Sequence, residues 1–451
     1  MKKLWKLLAA AVLIVPALHA QATSVSRPAR RAMTFNDLAA VKNVSDPQLS
    51  PSGLRILYAV RTTDLARNRR STVTYISAID GSGRRRFPDD STNASEARWS
   101  PDGNSIAYVS GGQLWIADAS GGNKRRLTAL QGGASGPVWA KTGDRIAFVS
   151  GVYPSCADDA CNVSRAKADE ENPVKARVTD RLLYRHWNAW QDSTRSHLFV
   201  VPVNGGPATD ITAGVWYDVP PGPFGGSEGY SFSPDGKELA FTAKDAGRED
   251  AWSTDINLYT VPVTGGTPKV ITASNRGADA NPVYSPDGRW IIYSSQQRAG
   301  FEADRGRLMA YDRTTGSSSE LLPNWDASAD AYQFTASGDA IYIESASKAQ
   351  QKIFRITRSG SGYTGAPQVI VASDHNTSLS ISRDGRTLAW SQDAVERPAE
   401  IFVATVSPAA PRRGSVVTSG PRQLTHENDA LLAELSLNPA EEFWFRGAGG
   451  D

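Results

Sequence analysis

The sequence predicts an all-β fold, a seven-bladed β-propeller of four-stranded blades, on three observations. A turn motif of the Ser-Pro-Asp-Gly kind recurs seven times, most of its spacings match one blade, and a second hairpin follows each copy. The clear copies are LSPSGLRILYAV (49–60), WSPDGNSIAYVS (99–110), WAKTGDRIAFVS (139–150), FSPDGKELAFTA (232–243) and YSPDGRWIIYSS (284–295). Weaker copies are FTASGDAIYIES (334–345) and ISRDGRTLAWSQ (381–392). The turn glycines Gly53, Gly103, Gly143, Gly236, Gly288, Gly338 and Gly385 stand 50, 40, 93, 52, 50 and 47 residues apart. The 93-residue interval reads as one blade plus an insertion. Of the 451 residues, 40% are hydrophobic and 21% charged, the balance of a folded soluble protein, and the length suits a repeat array.

Each part of the motif has a mechanical reason. Pro sets φ at the second turn position, Asp caps the turn backbone, and Gly takes the positive φ that other residues resist. The alternation that follows, as in Ile106-Ala107-Tyr108-Val109, is strand-like. The second hairpins, LWIADASGGNKRRLT (114–128), LFVVPVNGGPATDIT (198–212) and LYTVPVTGGTPKVIT (258–272), run strand, Gly-Gly turn, strand, and end in Leu-Thr or Ile-Thr. Asp102, Asp235 and Asp287 recur with the turns, so they read as turn caps rather than calcium ligands or catalytic acids.

The N-terminus reads as an export signal over residues 1–22. Lys2, Lys3 and Lys6 precede the apolar run Leu7 to Leu18, and Ala20-Gln21-Ala22 offers a cleavage site before Thr23. The run is short for a bilayer span, so no membrane attachment is expected after cleavage. The chain carries 49 Lys and Arg against 47 Asp and Glu; losing three lysines with the leader brings the net charge near −1. Basic residues are scattered, with Arg84-Arg85-Arg86 and Arg125-Arg126 read as solvated strand ends, so nucleic acid is not an expected partner. Cys156 and Cys161 are expected to form a small disulfide in an exported protein. The alternative, a metal site, lacks a histidine at matching spacing; no metal and no cofactor is expected.

The segment 151–231 departs from the repeat. It holds the cysteine pair, a charged stretch from Lys167 to Arg181, and LLYRHWNAW (182–190). Arg185-His186-Trp187 reads either as a packed blade strand or as a patch projecting into a cleft. Gly225-Gly226-Ser227-Glu228-Gly229 matches the G-x-S-x-G nucleophile elbow, which requires a strand before the serine and a helix after it. Pro220-Pro221-Gly222-Pro223 precedes it and a propeller turn follows, so Ser227 is not expected to be a nucleophile. The mature histidines, His186, His197, His375 and His426, show no spacing that suggests a triad with it. No βαβ pattern with long amphipathic helices is present, so no α/β-hydrolase domain is expected within these residues.

With these residues together, the chain resembles the N-terminal part of the prolyl oligopeptidase family, in its bacterial dipeptidyl-peptidase 5 and acylaminoacyl-peptidase branch, over most of 33–450. The SPDG turns alone are weakly specific. More telling are LLYRHWNAW followed by SHLFVVP, then PFGGSEGYSFSPDG, STDINLY and the tail RQLTHENDALLAELSLNPAEEFWFRGAGGD. The resemblance implies a propeller over 33–430, with an insertion at about 151–195, and a linker starting at 431–451 toward an α/β-hydrolase domain that the sequence does not contain. That domain would be the propeller's partner and would hold the Ser-Asp-His triad. The propeller would restrict access to short peptides. A dipeptidyl peptidase must hold a free α-ammonium, for which a carboxylate is the natural partner. Glu228 is the candidate, with Arg185, His186 and Trp187 as candidates for lining the mouth; the alternative is a rim carboxylate beside packed aromatics. The second functional expectation is a stand-alone exported propeller binding a protein partner, similar to that of the Tol system. Phe443, Trp444 and Phe445 are expected to form an exposed apolar patch.

Overall fold

The Pro-Asp-Gly turns fold as their chemistry dictates. In this computed structural model, which describes residues 30–180, 182–360, 362–363, 365–407 and 417–449, the Ser100 hydroxyl donates to the Asp102 carboxylate (2.5 Å) and accepts from the Ser105 N–H (2.9 Å). Asp102 also accepts from the Asn104 N–H, and Gly103 takes φ +74°. The same contacts recur at Ser233–Asp235, Ser285–Asp287 and Ser382–Asp384. Each turn joins two antiparallel strands, the first lining the centre of the molecule and the second forming the buried middle of a sheet.

Four strands follow one another in each unit. Four-stranded sheets run from Asn43–Leu49 to Arg85–Arg86, from Ser95–Trp99 to Arg125–Arg126, from Ser135–Trp139 to Thr209–Asp210, from Tyr230–Phe232 to Lys269–Val270, and from Asp279–Tyr284 to Ser317–Glu320. The last sheet has nine strands, from Ala331–Phe334 to Val417–Gln423. It divides into two halves of antiparallel strands; among the described residues the ladder pairing between them is the parallel pair Gln351 and His375. The expected two hairpins per repeat are therefore present.

The outermost strands are short, and threonine compensates for the missing ladder. The hydroxyls of Thr128, Thr212, Thr272 and Thr425 accept the N–H of Leu114, Leu198, Leu258 and Ile401 at 2.8–3.0 Å. These are the threonines of the Leu-Thr and Ile-Thr endings. All four are buried, so an apolar replacement would leave a backbone donor unpaired.

Successive sheets pack face to face through apolar clusters. Leu57, Ile76 and Phe87 of the first sheet meet Ile106 and Tyr108 of the second. Leu198 and Val200 of the third meet Leu239 and Phe241 of the fourth. Val44, Ile56 and Tyr58 of the first sheet meet Ile401, Val403 and Leu424 of the last half-sheet, which closes the ring without a shared strand. Polar contacts between inner strands reinforce it. Trp99 Nε1 donates to the Gln48 carbonyl and Trp139 Nε1 to the Arg98 carbonyl, both at 3.0 Å, and the Leu49 N–H reaches the Ser380 hydroxyl at 2.9 Å.

Five inner strands carry the same bulge. Asp46, Glu96, Gly136, Asn281 and Ser378, each seven residues before a turn glycine, adopt φ between +52° and +64°. The register slips at each of these points, and the ladder opens toward the centre. At Gly136 a side chain is excluded, because a Cβ would stand 2.5 Å from the Tyr230 hydroxyl.

Few helices interrupt the sheets. Phe35–Ala40 precedes the first sheet, with a capping box between Thr34 and Asp37. Asp159–Glu171 lies in the insertion, and Asp429–Leu432 follows the last sheet. The charged stretch expected from Lys167 is thus helical only as far as Glu171. The export signal at 1–22 lies outside the described residues. No helix among the described residues is long and apolar enough to cross a membrane.

Candidate functional site

Strand direction separates two faces. Every inner strand starts on one face and reaches a Pro-Asp-Gly turn on the other. The chain ends, the connections between sheets and the central hairpin tips all fall on the first, here the loop face. There Arg31 pairs with Leu435, its N–H bonding the Glu434 carbonyl (2.9 Å) and its carbonyl accepting from Ser436 (2.7 Å).

The insertion stands on this face as an ordered element. Asp158 caps the helix Asp159–Glu171 by accepting the Cys161 N–H at 2.8 Å, and Cys156 and Cys161 are bonded across this first turn. Tyr153 anchors the helix: its N–H donates to buried Asn162, its hydroxyl to Asp169, and Arg165 lies over its ring. A two-strand hairpin follows, pairing Arg185 with Trp190 and His186 with Ala189, with Trp187 at its tip. The hairpin is not a blade strand. Arg185 and Trp190 are exposed, and Trp187 is 71% exposed. Tyr184 stacks on Trp190 (6.0 Å), and Arg177 lies over that indole (5.3 Å). The Arg185 guanidinium is turned to the Trp187 carbonyl.

Trp187 meets Phe224 edge to face at 5.6 Å. This contact ties the hairpin to the loop that carries Glu228. Glu228 is exposed in a one-turn 3-10 helix, Ser227–Gly229, that runs into the inner strand Tyr230–Phe232. The four expected site residues are therefore on one face, with Trp187 and Glu228 linked through Phe224. The serine of the elbow-like motif lies in a short helix before a strand, the reverse of what a nucleophile elbow needs. Among the described residues His197, His375 and His426 pair with Asp210, Asp393 and Asp429, and none bonds Ser227.

A second carboxylate escaped the sequence reading. Glu96 accepts the Gly136 N–H at 2.5 Å, while the Tyr230 hydroxyl donates to the Gly136 carbonyl. Burial pushes the Tyr230 phenol far above its usual range, and the charges of Glu96 and Glu228 push it further, against Arg98. Both carboxylates thus lie near one tyrosine at the loop-face start of an inner strand. Arg98, the nearby cation, is held by Asp46 at 2.7 Å. The available signal was position: Glu96 stands seven residues before its turn glycine, as Asp46 and Asn281 do. The arrangement puts carboxylates and exposed aromatic surface on the same face.

A cleft of about 910 Å³ lies elsewhere on this face. The hairpin tips Lys348–Gln350 and Asp393–Glu396 form one side, and the exit segment Pro439–Trp444 the other. Phe443, Trp444 and Phe445 are each more than three quarters exposed, as the sequence suggested. Among the described residues no three His, Cys, Asp or Glu side chains gather as metal ligands.

The nearly all-β build, the ring of four-stranded sheets and the central strands define a β-propeller. Residues 29–149 match the family described as the dipeptidyl peptidase IV N-terminal region. Dipeptidyl-peptidase 5 of Porphyromonas gingivalis is 30% identical over 418 residues, covering 91% of this chain and 58% of that protein. Acylaminoacyl peptidase from Pyrococcus horikoshii superposes with a TM-score of 0.62 at 14% identity, covering 88% of this chain and 55% of that one. The β-propeller domain of the Trilobed protease from Pyrococcus furiosus, described as having an open velcro topology, superposes with a TM-score of 0.54 at 14% identity, over 86% of this chain and 97% of that one. The chain is thus similar over most of its length to the N-terminal part of a Dipeptidyl-peptidase 5, and it shares its fold with the propellers of these peptidases. It spans about three fifths of the length of the Dipeptidyl-peptidase 5 relative.

Proposed function

We propose that this chain is the non-catalytic, substrate-gating propeller of an exported serine dipeptidyl or acylaminoacyl peptidase. Its seven blades count each half of the nine-stranded sheet as one. The hydrolytic Ser-Asp-His set would come from an α/β-hydrolase region outside this sequence. The observation that carries the reading is the 30% identity to a Dipeptidyl-peptidase 5 across 91% of the chain. The insertion hairpin and the channel mouth share the face from which the chain leaves, where such a region would sit.

In this reading Glu228 receives the substrate's α-ammonium, with Glu96 adding negative potential, while Trp187 and Phe224 line the approach. A charge-assisted hydrogen bond of this kind fixes the distance from the peptide's amino end to the scissile bond. In the full-length enzyme, Glu228→Ala should raise KM for free-amine dipeptide substrates about tenfold or more, with little change for N-acylated ones. An unchanged KM removes the anchoring role. The chain by itself should resist labelling by a fluorophosphonate. Labelling that disappears in Ser227→Ala would overturn the non-catalytic reading.

A further inference from the structure

Residues 87–94 connect the first sheet to the second, and they pass beside the hairpin of strands Ser105–Ser110 and Gln113–Asp118. A cavity of about 410 Å³ opens there. Asn93 lines it from the connection, and Tyr108, Ser110 and Trp115 line it from the hairpin. It shares no lining residue with the larger cleft or with the surroundings of Glu228.

Tyr108 is the decisive residue. It is 1% exposed, and its ring packs edge to face on Phe87 (5.6 Å) within the apolar cluster of the two sheets. What it can turn to the cavity is therefore its hydroxyl end. Burial, helped by the charge of Asp89, pushes the phenol up to about 12, and no hydrogen bond counters the shift. The hydroxyl is thus neutral and without a partner among the described residues. Buried hydroxyls are normally bonded, and this one is free to donate and to accept.

Trp115 stands opposite Tyr108 in the strand register. Its Nε1 donates to the Ser110 carbonyl at 3.1 Å, so the half-buried indole offers its ring rather than its N–H. The Asn93 side-chain oxygen accepts from Arg86 (3.3 Å), which leaves the amide NH2 as a donor. The lining carries one charged side chain, Lys124, and it is paired with Asp89. Asp89 also accepts the N–H groups of Ser91 and Thr92, both at 2.9 Å, which fixes the connection as a wall. The cavity therefore presents an aromatic ring, a free hydroxyl and an amide, with its charges already matched. A sugar ring has the complementary chemistry: C–H groups that pack on an aromatic ring, and hydroxyls that donate and accept. The volume lies at the lower end of small-molecule pockets, about 300–1,000 Å³.

We propose that this cavity is a carbohydrate-binding subsite for a neutral mono- or disaccharide. Trp115 packs on the sugar's C–H face, while Tyr108 and Asn93 bond its hydroxyls. The inference does not depend on the peptidase reading.

The full chain is titrated calorimetrically with glucose, galactose and N-acetylglucosamine, and with cellobiose, lactose and chitobiose. At least one of these sugars should bind saturably, and neither phosphate nor tetramethylammonium should displace it. Tyr108→Phe keeps the packed ring and removes only the hydroxyl. It should weaken sugar binding about tenfold without lowering the melting temperature. Trp115→Phe should bind less tightly than the parent but better than Trp115→Leu. Trp252→Phe, an exposed indole elsewhere, should leave binding unchanged. The proposal is overturned if none of these sugars binds, if Tyr108→Phe binds equally, or if either ion displaces the sugar. A lower melting temperature for Tyr108→Phe would also overturn it, since the hydroxyl would then be bonded within the protein.

Discussion

Asp304 and Asp279 belong to the same repeat unit and are both well shielded, yet their surroundings drive them in opposite directions. Burial alone would raise the Asp304 pKa, but the N–H groups of Gln297 and Arg298, the Arg307 guanidinium and the Arg305 backbone outweigh it and bring it to about 2. Asp279 is fully buried. Burial raises its pKa, the neighbouring Ser295, Asn275 and Thr272 only partly counter this, and among the described residues its Oδ2 has no partner. The signs follow from linkage. A depressed pKa contributes stability above the ordinary aspartate value, and that stability is lost as pH falls from about 4 toward 2. A raised pKa costs stability as pH climbs from the ordinary value through the folded one. Asp304→Asn should therefore destabilise the protein by roughly 1–3 kcal/mol at pH 7, with the gap closing toward pH 2. Asp279→Asn should match or exceed the parent's stability at pH 8 and lose that margin near pH 4. Thermal melts across this range check both, and parallel pH profiles for the two variants would contradict the assignments.

At the scale of elements, what was legible in the sequence is what the backbone itself enforces. Pro, Asp and Gly at fixed turn positions announce a conformation that few other residues adopt, so the repeat and its hairpins could be read directly. The Leu-Thr endings were visible too, but their reason was not: the hydroxyl replaces a ladder bond, which only the pairing of strands reveals. Thr128 accepts the Leu114 N–H and donates to Gln113, both within 2.9 Å. Thr128→Val, nearly isosteric, should cost roughly 1–3 kcal/mol in denaturant unfolding, and Thr128→Ser distinctly less. Equal losses would assign the residue's role to its methyl group. The insertion was less legible because no repeat constrains it. Arg185-His186-Trp187 has the composition of a packed strand, and its exposed hairpin depends on contacts of Tyr184, Arg177 and Phe224 that sequence distance conceals. Glu96 was hidden differently, since a single glutamate in a strand becomes notable only once the bulge turns it toward Gly136 and Tyr230.

At the scale of the molecule, the ring must close between residues nearly four hundred positions apart, and polar side chains assist the apolar seam. Asn428 accepts the Lys42 N–H at 2.9 Å, returns a bond to the Lys42 carbonyl at 3.0 Å, and bonds the Glu400 carboxylate, which also receives the Thr425 hydroxyl. Asn428 and Glu400 are both buried. Arg84, exposed as the sequence suggested, also lies over the Tyr75 ring and pairs with Glu427 beside this clasp. Asn428→Ala strips the clasp and leaves buried polar atoms unpaired, so it should lower stability by roughly 2–4 kcal/mol. Lys42→Ala removes only a partly exposed ion pair with Glu427 (3.3 Å) and should cost about 1 kcal/mol or less. If the two variants unfold alike, the seam is held by its apolar cluster alone.

The loop face also determines how the chain behaves at high concentration. Phe443, Trp444 and Phe445 stand together beside the acidic cleft, and Trp187, Trp190 and Phe224 add a second exposed aromatic group. Single exposed aromatics are ordinary on protein surfaces, but grouped ones mark surfaces that associate. Pro439 to Trp444 form a wall of the cleft, so Phe443 and Trp444 of the first group stand at its edge. The chain should therefore self-associate as concentration rises, visible as an increasing mass by light scattering. Replacing Phe443, Trp444 and Phe445 by serine should shift that increase to higher concentration without moving the melting temperature, because none of the three is in the core. Changing Trp187 and Phe224 to serine discriminates between the two groups. A greater effect there than at the exit segment would transfer the association surface to the insertion hairpin. A parent that remains monomeric throughout would mean that neither group suffices to drive association.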